Sequence, residues 1–145
     1  MVDSAEVLLR SHGLLVTAQR VAVLAALADC PHGTAEDLVA AVRGRIGTVS
    51  RQAVYDALAT LSERGVIRRI QPARSPARYE DRVEDNHHHL VCRRCGCMVD
   101  VDCKVRSRPC LQVAEDHGFL IEEAEVLYWG FCPSCQASTS TVGGA

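Results

Sequence analysis

Long apolar runs are missing from this sequence. No stretch approaches the roughly 20 residues that a membrane-spanning helix needs. Nothing in it resembles an export leader either, since the first ten residues already carry Asp3, Glu6 and Arg10. The expected location is therefore the cytoplasm, with no membrane partner. Lysine is absent from residues 1–78, where ten arginines face seven acids for a balance of +3. Residues 79–145 hold six basic and eleven acidic residues, a balance of −5. The overall charge of −2 thus conceals a basic front half and an acidic back half, which implies two jobs.

What is present fits a globular protein of one ordinary domain or two small ones. There are 145 residues, 48% of them hydrophobic and 23% charged. Eight cysteines would suggest disulfides in a small secreted protein. Without an export signal they read instead as metal ligands or redox thiols.

In the front half, residues 3–12 have the pattern of a short helix ending near Gly13. Thr17 caps a second helix running to about Asp29, with Val21, Leu24 and Leu27 on one face. Cys30-Pro31-His32-Gly33 breaks the pattern, and Thr34 caps a third helix that Gly44 and Gly47 end. Ser50 caps a fourth, Arg51 to Arg64, stopped by Gly65. Its buried stripe is Val54, Ala57, Leu58 and Leu61, which turns Gln52, Tyr55 and Ala59 to solvent. An exposed tyrosine beside Arg51 and Gln52 at a helix N-terminus suits reading base edges in a DNA major groove. Val66–Ile70 and Ala77–Glu80 read as a hairpin around Gln71-Pro72-Ala73-Arg74-Ser75-Pro76. Helices followed by a basic hairpin describe a winged helix-turn-helix. The alternative is a small helical bundle with a half-buried Tyr55 and a solvated arginine face.

The back half opens with a polar hinge, residues 81–86. Short β segments follow at His89–Cys92 and Met98–Val101, then a helix over 105–117 and a β-rich stretch from Phe119 to Phe131. The Ser/Thr/Gly-rich end, 137–145, is expected to be a disordered tail. Two Cys-x-x-Cys knuckles, Cys92/Cys95 and Cys132/Cys135, can complete one closed tetrahedral zinc site. Their 36-residue separation requires a subdomain to fold between them. The competing reading is reduced or disulfide-paired thiols. Cys30, Cys97, Cys103 and Cys110 read as incidental small residues. His87 and His89 would share one face of a strand and His88 the other, so the outer pair can chelate a metal. Glu80, Asp100 and His32 are candidate companions; a solvated histidine run is the alternative.

In this order the motifs resemble the ferric uptake regulator family of metal-dependent transcriptional repressors, over residues 10–135. The resemblance rests on Gly13, Thr17, Gln19 and Arg20, then His32 before Thr34-Ala35-Glu36-Asp37, then Val54-Tyr55 and Arg78-Tyr79-Glu80. It continues through His87-His88-His89-Leu90-Val91-Cys92-x-x-Cys95-Gly96 and Trp129-Gly130-Phe131-Cys132-x-x-Cys135. Ser50 to Asp56 looks like the actinobacterial catalase-associated, peroxide-responsive branch. The resemblance implies an α+β protein. Residues 1–80 would be a winged-helix DNA-binding domain, 81–86 a hinge, and 87–136 a small α/β dimerisation and metal-binding domain. Cys92, Cys95, Cys132 and Cys135 would hold structural zinc. His32, Glu80, His87, His89 and Asp100 would hold a regulatory Fe(II), or Mn(II) or Zn(II). Arg51, Gln52 and Tyr55, with Thr17 and Arg20, would contact DNA, and a homodimer would bind a palindromic A/T-rich operator. Two positions depart from the family pattern. Asp56 stands where many members have Arg, and Ala124 where many have His, so the resemblance leaves His88 without a role.

The function expected on this basis is a repressor, not an enzyme, that senses peroxide through the regulatory metal and controls oxidative-stress genes such as a catalase. An iron- or zinc-dependent repressor of metal uptake is the alternative within the class. A small zinc metalloenzyme is the alternative outside it, but the sequence offers no substrate pocket for one.

Overall fold

The computed structural model describes residues 4–83, 87–102, 113–122 and 124–140. The chain divides into two compact units, Met1–Glu84 and Asp85–Ala145, each described here by itself.

The first unit contains α1 (Ser4–Ser11), α2 (Ala18–Asp29), β1 (Gly33–Thr34), α3 (Ala35–Ile46), α4 (Arg51–Glu63), β2 (Arg68–Ile70) and β3 (Arg78–Glu80). Three of the four helices start on a hydroxyl cap. Thr17 accepts from the Arg20 amide at 3.2 Å and Ser50 from the Ala53 amide at 3.0 Å. Thr34 and Asp37 form a reciprocal capping box. α3 runs through Gly44, expected as a stop, and ends at Gly47, whose φ of 80° suits only glycine well. A helical Gly44 costs about 1 kcal/mol relative to alanine. Burial of Leu38, Val39 and Val42, two to six residues earlier, offsets that cost. The core packs Leu9, Val23, Leu27, Leu38, Val54, Leu58 and Leu61 together, and the apolar face of α4 lies in its middle. Val66 and Ile67, expected in the strand, instead plug this core. The hairpin β2–β3 gains a third strand, because Gly33 and Thr34 pair with Tyr79 and Arg78, giving the order β1-β3-β2. Two residues are too few to be visible in sequence.

The second unit is a three-stranded sheet with β4 (His87–Cys92) in the centre, β5 (Met98–Asp102) antiparallel on one edge and β6 (Leu127–Gly130) parallel on the other. The β-rich stretch expected from Phe119 contracts to β6. His117 and Gly118, with φ of 50° and 82°, turn the chain just before it, and acids at 122, 123 and 125 interrupt the apolar pattern. Of the helix expected over 105–117, residues 105–112, like Cys103, lie outside the described residues, and 113–117 are not helical. α5 (Pro133–Ser140) carries helix into the segment expected as a tail. It starts where the Gln136 amide donates to the Cys132 carbonyl at 2.9 Å. No helix among the described residues is long and apolar enough to cross a membrane.

Leu61 is fully buried. Leu61→Ala should lower the unfolding free energy by about 2–5 kcal/mol. Ala59→Ser, on the exposed side of the same helix, should stay within about 0.5 kcal/mol. Urea denaturation followed by far-ultraviolet circular dichroism measures both.

Candidate metal centres and nucleic-acid face

The sheet of the second unit gathers the thiols. After β4 the chain reverses in a tight turn, in which the Gly96 amide donates to the Cys92 carbonyl at 3.0 Å and the Cys92 amide to the Cys97 carbonyl at 2.9 Å. Gly96, with φ of 76°, allows the reversal. From the other side the Arg93 amide donates to the Gly130 carbonyl at 2.8 Å, which brings the end of β6 against the turn. The Sγ atoms of Cys92, Cys95, Cys97 and Cys132 consequently lie within 4.8 Å of one another. Cys95 and Cys132 are 3.7 Å apart. A zinc–thiolate bond of about 2.3 Å in a tetrahedron requires sulfurs about 3.8 Å apart, so this edge already fits zinc. Cys135, on the first turn of α5, reaches Cys132 by a side-chain hydrogen bond.

Charge is divided unevenly among these sulfurs. Amide hydrogen bonds, the Cys132 N–H foremost, pull the Cys92 thiol down to about 5. The Cys135 amide does the same in direction for Cys132. Cys97 and Cys135 are pushed up to about 12, since each shares a hydrogen bond with a neighbouring sulfur, Cys95 and Cys132 respectively. Cys92 thus favours the thiolate and Cys132 leans the same way, whereas Cys97 and Cys135 hold a proton that a divalent cation bound by thiolates would displace. Cys97 joins this cluster unforeseen. Its signal in the sequence is a third cysteine two residues beyond the knuckle, across a turn-forming glycine.

Each unit also holds part of the expected nitrogen- and oxygen-rich set. In the first, His32 Nε2 lies 3.3 Å from Glu80 Oε2, and Glu80 is buried. His32 has φ of 67°, a left-handed backbone rare for a non-glycine residue, and its amide donates to the Tyr79 carbonyl at 3.0 Å. In the second, the alternation of β4 puts His87 and His89 on one face. Their Nε2 atoms lie 3.6 and 3.3 Å from the same Asp100 oxygen. Asp100 pairs with His89 across the β4–β5 ladder, which fixes that meeting. His88 points to the other face, its ring 6.4 Å from that of Tyr128.

On α4, Arg51, Gln52 and Tyr55 are exposed. Their surroundings were not legible in sequence. Glu36, in the first turn of α3, accepts a hydrogen bond from the Tyr55 hydroxyl and pairs with Arg51 at 3.2 Å. That hydrogen bond raises the phenol above its ordinary value, because a phenolate would face a carboxylate. Gln52 donates to Asp56 at 2.7 Å. Thr17 and Arg20 are occupied at the start of α2, as its cap and as a donor to the Leu15 carbonyl. Both border a shallow cleft that also includes Ala53 and Asp56 of α4.

Comparison with known proteins decides the family. Residues 11–128 match the model of the ferric uptake regulator family. The chain belongs to this family. FurA, a transcriptional regulator of Mycobacterium tuberculosis, is 53% identical over 133 residues, covering 92% of this chain and 90% of that protein. Ferric uptake regulation protein 1 of Mycolicibacterium fortuitum is 54% identical over 122 residues, covering 84% and 76%. The solved structure of the Campylobacter jejuni peroxide stress regulator matches with a TM-score of 0.67 at 25% identity, over 92% of this chain and all of that one. The Fur-family chain is accordingly a metal-dependent transcriptional regulator and not an enzyme, with the winged-helix and C-terminal-domain fold of the family. Members bind DNA and act as dimers.

Glu36→Gln should return the Tyr55 phenol towards its ordinary titration. A spectrophotometric tyrosinate titration, with Tyr55→Phe assigning the transition among the three tyrosines, reads this directly.

Proposed function

We propose that this Fur-family regulator is a repressor that senses peroxide through a regulatory Fe(II) or Mn(II) site. In this reading a separate thiolate site, Cys92, Cys95, Cys132 and Cys135, holds structural zinc. The observation that carries it is the separation of donor types. Sulfurs cluster at the end of β4, whereas imidazole and carboxylate pairs stand ready in each unit, His32 with Glu80 and His87 and His89 with Asp100. Soft thiolates retain zinc, and mixed imidazole–carboxylate sets suit iron and manganese. Joined around one ion, these five side chains would tie the two units together and hold the recognition helices of a dimer at the spacing of successive major grooves. Turning a mostly untied population into a mostly tied one needs about 5.5 kcal/mol of differential metal binding.

Bound Fe(II) would supply the one-electron reduction of peroxide. By the resemblance, His32 or His87 is the ligand that would take up the oxygen. An oxidised ring no longer donates well. Loss of the donor releases the tie, and genes such as a catalase are derepressed. The peroxide regulators of Campylobacter jejuni and Bacillus subtilis, the latter 28% identical over 88% of each chain, support this reading. The name of the Mycolicibacterium fortuitum relative favours a second one, iron-dependent repression of uptake genes. So does Glu80, because the resemblance associates Glu there with iron sensing and Asp with peroxide sensing.

DNA contact is assigned to Arg51, Gln52 and Tyr55, with Thr17 and Arg20 beside them, on a palindromic A/T-rich operator. The partner copy would dock through the second unit. There Leu90, Val99 and Tyr128 lie side by side across the three strands and are about half exposed. The cytoplasm is the compartment these roles require.

Two measurements test the reading. On a duplex selected from a random library, gel-shift affinity should depend on added Fe(II) or Mn(II) and fall about tenfold or more for Tyr55→Ala, roughly 1.4 kcal/mol. Dilute peroxide on the Fe(II)-loaded protein should add one oxygen to the His32 or His87 peptide in mass spectra. Disulfides formed with the histidines intact would sink metal-centred sensing.

A further inference from the structure

The thiol cluster holds five cysteines where a closed zinc site takes four. We infer that Cys97 is a reserve ligand of this site, able to occupy the fourth coordination position in place of Cys135; this rests on the reading that the cluster binds zinc. Cys92, Cys95 and Cys97 project from a single six-residue turn, closed at both ends by the Cys92 and Gly96 amides. With Cys132 they form a four-sulfur set whose members all lie within 4.8 Å of one another. Contraction of about 1 Å on the longest edges brings that set to tetrahedral zinc–thiolate dimensions. Cys97 is exposed, so its side chain can move without repacking a core, whereas Cys135 is buried on α5.

Five thiolates cannot bind one zinc ion at once in a closed tetrahedral site. The fourth ligand therefore exchanges. As the Cys97 sulfur bonds to zinc, the Cys135–zinc bond breaks, and the proton lost from Cys97 is taken up by Cys135. No charge or redox equivalent is gained or lost. The consequence is a site that keeps its metal when either thiol is blocked, while Cys92, Cys95 and Cys132 remain indispensable.

The test uses the full-length protein with Co(II) in the thiolate site, read by sulfur-to-cobalt charge-transfer absorption, and zinc competition against a chromophoric chelator. Cys97→Ser and Cys135→Ser should each retain a four-thiolate spectrum. The double variant should fall to about three quarters of that intensity, with zinc affinity at least tenfold below either single variant. A three-thiolate spectrum already present in Cys135→Ser, unchanged in the double variant, would overturn the inference. Absence of any sulfur-to-cobalt band in the parent protein would instead remove the zinc reading on which it rests. Should Cys135→Ser fail to fold, iodoacetamide labelling of the zinc-loaded parent protein decides. Zinc-retaining molecules should carry label on Cys97 or on Cys135, never on both. Label confined to Cys97, with Cys135 wholly protected, would overturn it.

Discussion

The pairing of β4 on both of its edges is the constraint on which the second unit depends. An antiparallel neighbour fixes Asp100 opposite His89, and a parallel neighbour delivers Gly130, and with it Cys132, to the turn that follows Cys92. Side-chain alternation does the rest, because a one-residue slip would carry His87 and His89 to the wrong face and reverse the cysteine turn. One strand register therefore positions a nitrogen–oxygen pair at one end and a sulfur cluster at the other. Between the two ends, His89, Leu90 and Val91 are paired on both edges.

The first unit obeys a different logic. Its helices are set by caps and by a shared apolar core, and the exposed side of α4 is what that core leaves over. Glu36 then links α3 to α4 through Tyr55 and Arg51. In the DNA-free protein Tyr55 and Arg51, two of the residues proposed to meet DNA, are thus held by one carboxylate. Phosphate approaching Arg51 must compete with it, which exchanges one anionic partner for another.

Much of this was legible from local signals. Thr17, Thr34 and Ser50 announce helices because a hydroxyl followed by free amides is a short-range event, and each forms the cap expected of it. Gly44 misled because its cost of about 1 kcal/mol is offset by side chains buried earlier on the same helix. α5 was hidden by a Ser/Thr-rich composition, although a helix start at Pro133 is favourable. β1 and the parallel edge of β6 depend on partners 46 and about 38 residues away in sequence, beyond any local pattern. Cys97 and Glu36 were missed for a related reason. A knuckle motif counts spacing, while the turn at Gly96 counts direction, and Glu36 acquires its meaning only from a neighbouring helix.

His32 carries a consequence of its own. A left-handed backbone at a residue with a Cβ costs on the order of 1–2 kcal/mol, and glycine or asparagine would sit there more easily. A sequence selected for folding alone would place one of them between Pro31 and Gly33. The imidazole stands there against that preference, where it meets the buried Glu80 carboxylate, so backbone ease and side-chain pairing pull in opposite directions at this turn. Replacement by glycine would relieve that backbone and at the same time take from the buried Glu80 carboxylate the imidazole 3.3 Å away, two effects of opposite sign on the stability of the winged unit.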